Sequence, residues 1–389
     1  VFNLRGGLAR YEGFSGNAFG GGFDPKTLGF PASLVSQFTR LQFPRFNLGS
    51  YSELGSNQVS GYSTNDTYSI QPNMSWTRGR HFLKFGTELR LYNNNNISPG
   101  TASGVYNFDR GWTQSNPLRG DAASGNEFAS FLLGYAASGS VPRNIDTAFQ
   151  NRYYAAFIQD DFKVNTRLTL NLGLRWDYET PYYERHDRMI NGFAFDQPSP
   201  IASKVQGLPL NGGVQFANVN GSSRYAFDPK HGNIQPRVGA AYKIGTKWVL
   251  RGGFGLSYLG QSSAGPTGGF SRTTNMVTST DNNITPITTL SDPFPTSQFP
   301  TGLLQPIGSS QGLATNLGQA ISAPYRDRPL PFSRQYSFGF QRELPDGWLL
   351  DASYVGNTTR RLKTVQRSKP HIARYTRQAL DVAFSDAAQ

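Results

Sequence analysis

From Leu168 to Glu179 apolar and polar residues exchange at every step. Leu168, Leu170, Leu172, Leu174, Trp176 and Tyr178 share one parity, and Thr169, Asn171, Gly173, Arg175, Asp177 and Glu179 share the other. A β-strand turns successive side chains to opposite faces, whereas a helix would scatter these apolar residues around its circumference, so the pattern predicts a two-faced strand. Its twelve residues are about twice the length of an ordinary strand. The same period returns in Ile234–Ile244, in Trp248–Tyr258, and over 83–91, 335–341 and 348–354. Residues 153–162 read as a strand with apolar residues on both faces at first, which leaves its outward face unassigned. Residues 66–76 read as a weaker partner, because Pro72 lacks an amide N–H and fits only an edge, a bulge or a strained position.

The connections between these segments fall into two classes. Residues 77–80, 163–167, 245–247 and 345–347 are hairpin turns. Residues 13–65, 93–150, 180–233 and 259–334 are loops of more than 50 residues each, rich in Gly, Pro, Ser, Asn and Thr. Short and long connections alternate, and loops of this length are uncommon in compact soluble domains. A barrel crossing a bilayer gives the alternation a cause, with tight periplasmic turns on one side and long extracellular loops on the other. Trp76, Phe162, Trp248 and Trp348 flank the short turns, while Tyr92, Tyr178, Tyr258 and Tyr354 stand at the long-loop ends. Ten residues from Trp248 to Tyr258, tilted about 45°, span roughly 23 Å, against an apolar band of about 25 Å bordered by aromatic girdles in outer-membrane barrels. The expected fold is an all-β, antiparallel transmembrane barrel wall of about ten strands over residues 1–357. Residues 358–389 lose the alternation and become basic, through Arg360, Arg361, Lys363, Arg367, Lys369, Arg374 and Arg377. They read as a disordered tail or a short helix over 376–388.

Composition narrows the function. The 389 residues carry 37 Lys and Arg against 25 Asp and Glu, a net charge of +12, and no cysteine. The absence of cysteine removes disulfide scaffolds, thiol catalysis and cysteine-bound zinc. The chain lacks the run of about 18 apolar residues that a spanning helix needs, which leaves a spanning barrel open. The opening residues Val1, Phe2, Asn3, Leu4 and Arg5 show neither an initiator methionine nor a signal peptide, so a fragment or processed product is expected.

Catalytic and cofactor chemistry finds little support. His81, His186, His231 and His371 share no metal-ligand spacing, and no metal or cofactor is expected. Asp160 and Asp161 are adjacent on a strand and face opposite ways, so they cannot share a proton as a catalytic dyad. The glycine runs at 20–22 and 252–253 lack the Lys-Ser/Thr that completes a phosphate loop. The arginines are dispersed rather than clustered on a recognisable module, against nucleic-acid binding. Surface arginines equally suit lipopolysaccharide phosphates.

Two residue sets remain. Glu88, Arg90, Arg175, Asp177, Arg237, Lys243, Arg251 and Asp351 take the inward parity and would form a polar lumen wall, whether they contact a passing solute or only hydrate the lumen. Phe14, Phe19, Phe46, Tyr51, Tyr182 and Tyr183 lie in the long loops as candidate ligand contacts. Exposed aromatics there would suit sugars, peptides or aromatic chelators, and packing of the loops onto one another is the competing reading.

Three stretches carry a family resemblance. They are YYAAFIQDDFKV at 153–164 with LTLNLGLRW at 168–176, QPRVGAAY at 235–242 with LRGGFG at 250–255, and QYSFGFQREL at 335–344 with ASYVGN at 352–357. FASFLLG at 128–134 belongs with them. In these motifs the chain resembles the barrel region of a TonB-dependent receptor of the Oar-like kind. The resemblance implies a 22-stranded barrel closed by an N-terminal plug, of which no segment is evident here, and an energy-transducing TonB-type partner in the inner membrane. It places the protein in the bacterial outer membrane, amid lipid and lipopolysaccharide, importing a scarce solute without covalent chemistry. An outer-membrane adhesion or structural protein, or a soluble all-β carbohydrate-binding protein, would share the periodicity. The soluble reading requires the apolar faces to seal together in a dry core.

Overall fold

Among the described residues nine long strands form one antiparallel sheet in strict chain order, and the two-residue strand Tyr183–Glu184 joins it off that path. A computed structural model describes residues 1–15, 21–55, 61–121, 123–207, 209–260, 268–318 and 321–362. The wall strands are β1 (Phe2–Ser15), β2 (Gly61–Arg78), β3 (His81–Ile97), β4 (Thr147–Lys163), β5 (Leu168–Glu179), β6 (Ile234–Ile244), β7 (Trp248–Tyr258), β8 (Phe332–Glu343) and β9 (Leu349–Arg360). Each pairs with its neighbour in sequence, and the sheet stays open between β1 and β9. The wall is a partial barrel. No helix among the described residues is long and apolar enough to cross a membrane.

Register converts the sequence alternation into two faces. Lys84, Gln159, Gly173, Arg237, Gly255, Gln335 and Asn357 stand opposite one another in a single row from β3 to β9. Met74, Phe85, Ile158 and Leu174 form a neighbouring row of the other parity and are all exposed. Leu172, Trp176, Val238, Phe254, Phe338 and Tyr354 are exposed as well. The apolar face is therefore a continuous outer belt, the arrangement a wall needs when hydrocarbon lies against it.

Several strands run further than the sequence pattern predicts. β3 continues through the polar run 93–96, which has poor strand propensity, because those asparagines pair with 63–66 on one side and 147–150 on the other. Pro72 is not on an edge. It sits within β2, paired with Leu4 of β1, and the ladder to β3 opens at residues 71–72. Gly86 accommodates this fault, since a Cβ there would lie 2.7 Å from the Pro72 carbonyl oxygen. β9 runs to Arg360, past the predicted end of the wall at 357. Residues 363–389, including His371, lie outside the described residues.

The dry core is in the loops, not in the wall. Strands Ser271–Asn275, Ser138–Asn144, Val105–Asn107 and Arg45–Asn47 form a small four-stranded sheet from three different loops. Phe30, Leu34, Phe46, Tyr106, Phe108, Val141, Met276, Phe294 and Leu303 pack into one buried cluster beside it. A second cluster joins Phe149 at the loop end of β4 to Tyr182, Met189, Phe227 and Phe270. Four short turns at one end and interlocked, cored loops at the other give the molecule its polarity.

Candidate functional site: the polar face and the loop assembly

The polar face contains one dense cluster, centred on β3, β4 and β5. Glu88 and Asp177 both stand opposite Ala155, a small buried residue on the strand between them. That gap lets the Arg175 guanidinium cross β4, where Nη2 donates to Glu88 Oε2 at 2.9 Å and to the Tyr153 hydroxyl at 2.8 Å. Tyr153 donates to Asp177 Oδ2 at 3.2 Å, and Gln235 of β6 donates to the same oxygen at 2.5 Å. On the other side Gln71 Nε2 donates to Glu88 Oε1 at 3.1 Å, and Arg90 pairs with Glu88. Two guanidinium groups face two carboxylates, so the cluster is formally neutral. It offers a hydrated wall with fixed donors and acceptors and holds no unmatched charge.

Four of the eight inward residues named from the sequence meet here, namely Glu88, Arg90, Arg175 and Asp177. The others share the face but not the cluster. Arg237 lines a shallow recess of about 530 Å³ with Gln159, Asn171, Gly173, Gly253 and Gln335. Lys243 and Asp351 fall in one row near the short turns, where Gln341 donates to Asp351, and Arg251 stands opposite Ala241 and Gly339. Tyr153, Gln235 and Gln71 were missed. Tyr153 hides in a segment apolar on both faces, and only the register with β5 shows that its hydroxyl points inward.

Of the girdle aromatics, Trp76, Trp248, Tyr178, Tyr258 and Tyr354 share the outward parity, and Trp348 is exposed just before β9. Tyr178 stacks with Tyr154 at 6.2 Å. Tyr92 corrects the expectation. It follows outward Leu91 by one residue, so it must face inward, and its hydroxyl accepts a hydrogen bond from Arg90 at 3.3 Å. Asp160 and Asp161 do diverge: Asp160 pairs outward with His81 Nδ1 at 2.7 Å, and Asp161 accepts inward from Asn171 at 2.6 Å.

The loop aromatics separate by burial. Phe46, Tyr182 and Tyr183 are 3, 7 and 8 % exposed, so their rings hold the loops together and present no surface to a ligand. Phe14 belongs to β1 and lies on the outward parity. Phe19 lies outside the described residues. Tyr51 is exposed, its hydroxyl accepting from Asn126 Nδ2 at 2.8 Å and its ring lying 5.8 Å from Phe128. Beside it the helix Glu127–Leu132, capped by Asn126, exposes Phe128 and Leu132, with exposed Leu133 next to them. This apolar loop surface was legible only as part of the FASFLLG motif.

Polar ties lock the loops to one another. Arg326 donates to Asp228 at 2.8 Å and to the Tyr225 carbonyl at 2.9 Å, and Lys230 pairs with Asp327 at 2.6 Å. Leu303 N–H donates to Gln37 Oε1 at 2.7 Å. Burial alone would raise the Glu184 pKa, but the Arg188 guanidinium and the backbone N–H groups of Arg188 and His186 outweigh it and hold the carboxyl below its usual range. Asp281 is held at about 2 by the backbone N–H of Thr285 and the hydroxyl of Ser279. Burial pushes the Tyr182 phenol up to about 12.

A family model described as outer membrane beta barrel domain matches residues 1–382. The chain belongs to the outer-membrane β-barrel domain family. Its place is therefore the bacterial outer membrane, and the exposed apolar belt faces lipid. Among curated proteins none matches the sequence. Solved structures of similar fold include the ferripyoverdine receptor of Pseudomonas aeruginosa, at 12 % identity and a TM-score of 0.32, covering 78 % of this chain and 26 % of that one. The alcaligin outer-membrane receptor FauA of Bordetella pertussis is 10 % identical, with a TM-score of 0.33 and coverage of 81 % and 33 %. The ferric-catecholate import receptor Fiu of E. coli K12 is 12 % identical, with a TM-score of 0.34 and coverage of 92 % and 38 %. The chain thus spans between about a quarter and two fifths of the length of these receptors.

Proposed function

We propose that this outer-membrane barrel domain is the wall and loop region of a TonB-dependent receptor that takes up a scarce solute in a ligand-gated, energy-driven step. The observation that carries the reading is the division of labour within the molecule. An apolar belt faces lipid, a hydrated polar face opposes it, and loops with their own dry cores are assembled at one end only. In this scheme the loops capture the solute, with the exposed surface around Tyr51, Phe128 and Leu132 as the apolar part of the contact. The solute then passes along the polar face, where the Glu88, Arg175 and Asp177 cluster lines the path without trapping an ion. A plug within the lumen supplies the gate, coupled to the TonB-type partner, and the solute leaves chemically unchanged.

The test uses the full-length gene in an outer-membrane host. A deletion strain is grown with ferric chelates, cobalamin, oligosaccharides or peptides as the limiting nutrient, and accumulation is measured with and without a protonophore. The receptor reading expects loss of growth on one class and protonophore-sensitive accumulation of it. Unchanged growth on every class, with loss of surface attachment instead, would assign the domain to adhesion.

A further inference from the structure

The short-turn rim of the wall carries a net positive charge. Its four turns and the strand ends beside them hold Arg78, Arg80, Lys163, Arg167, Lys243, Lys247 and Arg342 against Asp160, Asp161, Glu343, Asp346 and Asp351. All seven cations are exposed, and none makes a salt bridge among the described residues. Arg80 donates instead to the Val164 carbonyl at 2.7 Å, joining the first two turns. The inner polar cluster, by contrast, neutralises its arginines with Glu88 and Asp177.

Two of these cations are placed for lipid. Arg78 and Arg342 take the outward parity, and their guanidinium carbons lie 5.6 Å from the Trp76 ring centroid and 4.6 Å from that of Trp248. Trp76 is directly opposite Leu83, and Trp248 opposite Ile244, at the margin of the apolar belt. An indole at such a margin sits at headgroup depth, and a guanidinium stacked on it presents donors to the phosphate layer. Cations near an anionic leaflet each favour association with it.

We propose that this rim is a binding site for acidic phospholipid headgroups of the periplasmic leaflet, with Arg78 on Trp76 and Arg342 on Trp248 as its two lipid-facing phosphate clamps. Arg167 and Lys247 add attraction from the turns behind them, while Lys163 and Lys243 take the inward parity at the strand ends. The site fixes the height of the barrel on the side opposite the loops. It stands on the membrane placement of the domain and is independent of what the receptor transports.

The full-length protein is placed in phosphatidylcholine bilayers, and brominated phosphatidylglycerol is titrated in while tryptophan quenching is followed. The expected result is half-quenching at a mole fraction several-fold lower than for brominated phosphatidylcholine. R78Q with R342Q should raise that mole fraction, roughly five-fold per arginine at its own site, while R78K with R342K retains most of the preference. R152Q with R334Q, which removes exposed arginines at the loop end, should leave it unchanged. Equal quenching by the two lipids in the native protein would overturn the proposal, as would a preference that survives in the glutamine pair. Heat-shifted migration in detergent gels confirms that each variant has folded. Competition by soluble glycerol phosphate at millimolar concentration would show a free-anion site and also count against a lipid site.

Discussion

Replacing Glu88 by Gln tests whether the polar cluster joins three strands or merely decorates them. The carboxylate accepts from Arg175 across β4, pairs with Arg90 and accepts from Gln71 of β2. A charge-assisted hydrogen bond contributes about 1.5–3 kcal/mol. The Arg175 and Glu88 side chains are 24 and 14 % exposed, so water screens part of this. A coupling of about 1–2 kcal/mol is then expected for the Glu88–Arg175 pair. The assay is a double-mutant cycle with E88Q, R175M and both, read by reversible urea unfolding in lipid vesicles. E88Q alone should cost more than the coupling, because it leaves two guanidinium groups facing each other. Raising the salt concentration should shrink both numbers. A coupling below about 0.3 kcal/mol, within the error of independent sites, would refute the argument.

Other perturbations follow from the same geometry. Ala155→Leu fills the gap that Arg175 crosses and should cost about 1–3 kcal/mol in the same unfolding assay, with little further loss when R175M is added. Gly86→Ala places a Cβ 2.7 Å from the Pro72 carbonyl; a loss of about 1–3 kcal/mol is expected, relieved when Pro72 is also replaced by Thr. Tyr106 is fully buried with a hydroxyl that has no hydrogen-bond partner among the described residues; Tyr106→Phe should be neutral or stabilising by about 1 kcal/mol, whereas Tyr106→Ala opens a cavity and should expose the loop core to hydrogen exchange. The depressed Glu184 pKa makes loop stability complete above the ordinary carboxylate pKa of about 4.3 and lost as pH falls through the lower folded value. Protection factors for amide exchange over 183–190, referenced to the intrinsic rate at each pH, should therefore fall on acidification through that window, and E184Q should flatten the dependence.

How much of this was legible in the sequence depends on the range of the physics involved. Period-two alternation is local, so Leu168–Glu179, Ile234–Ile244 and Trp248–Tyr258 were readable to the residue, and with them the two faces. The same rule shows why Tyr92 does not belong to the girdle, since one step past Leu91 reverses the face. Strand ends were less legible, because β3 keeps its polar asparagines in the sheet only through partners on both sides. The loops were opaque. Phe46 meets Tyr106, and Phe149 meets Phe270, through contacts far apart in the chain with no period to announce them. Their burial turned three expected ligand contacts into core residues. Tyr153 and Gln235 entered the polar cluster only once register was known.

The account rests on lipid lying against one face of the wall and water against the other. The chain has no cysteine, so single cysteines can be placed one at a time along β5 from 168 to 179 in the full-length protein and spin-labelled in bilayers. Collision with oxygen, which concentrates in hydrocarbon, should peak at even positions such as 172, 174 and 176. Collision with a water-soluble nickel chelate should peak at odd ones such as 171, 173 and 175. Twelve labels with no alternation, or even positions shielded from both reagents, would contradict the account.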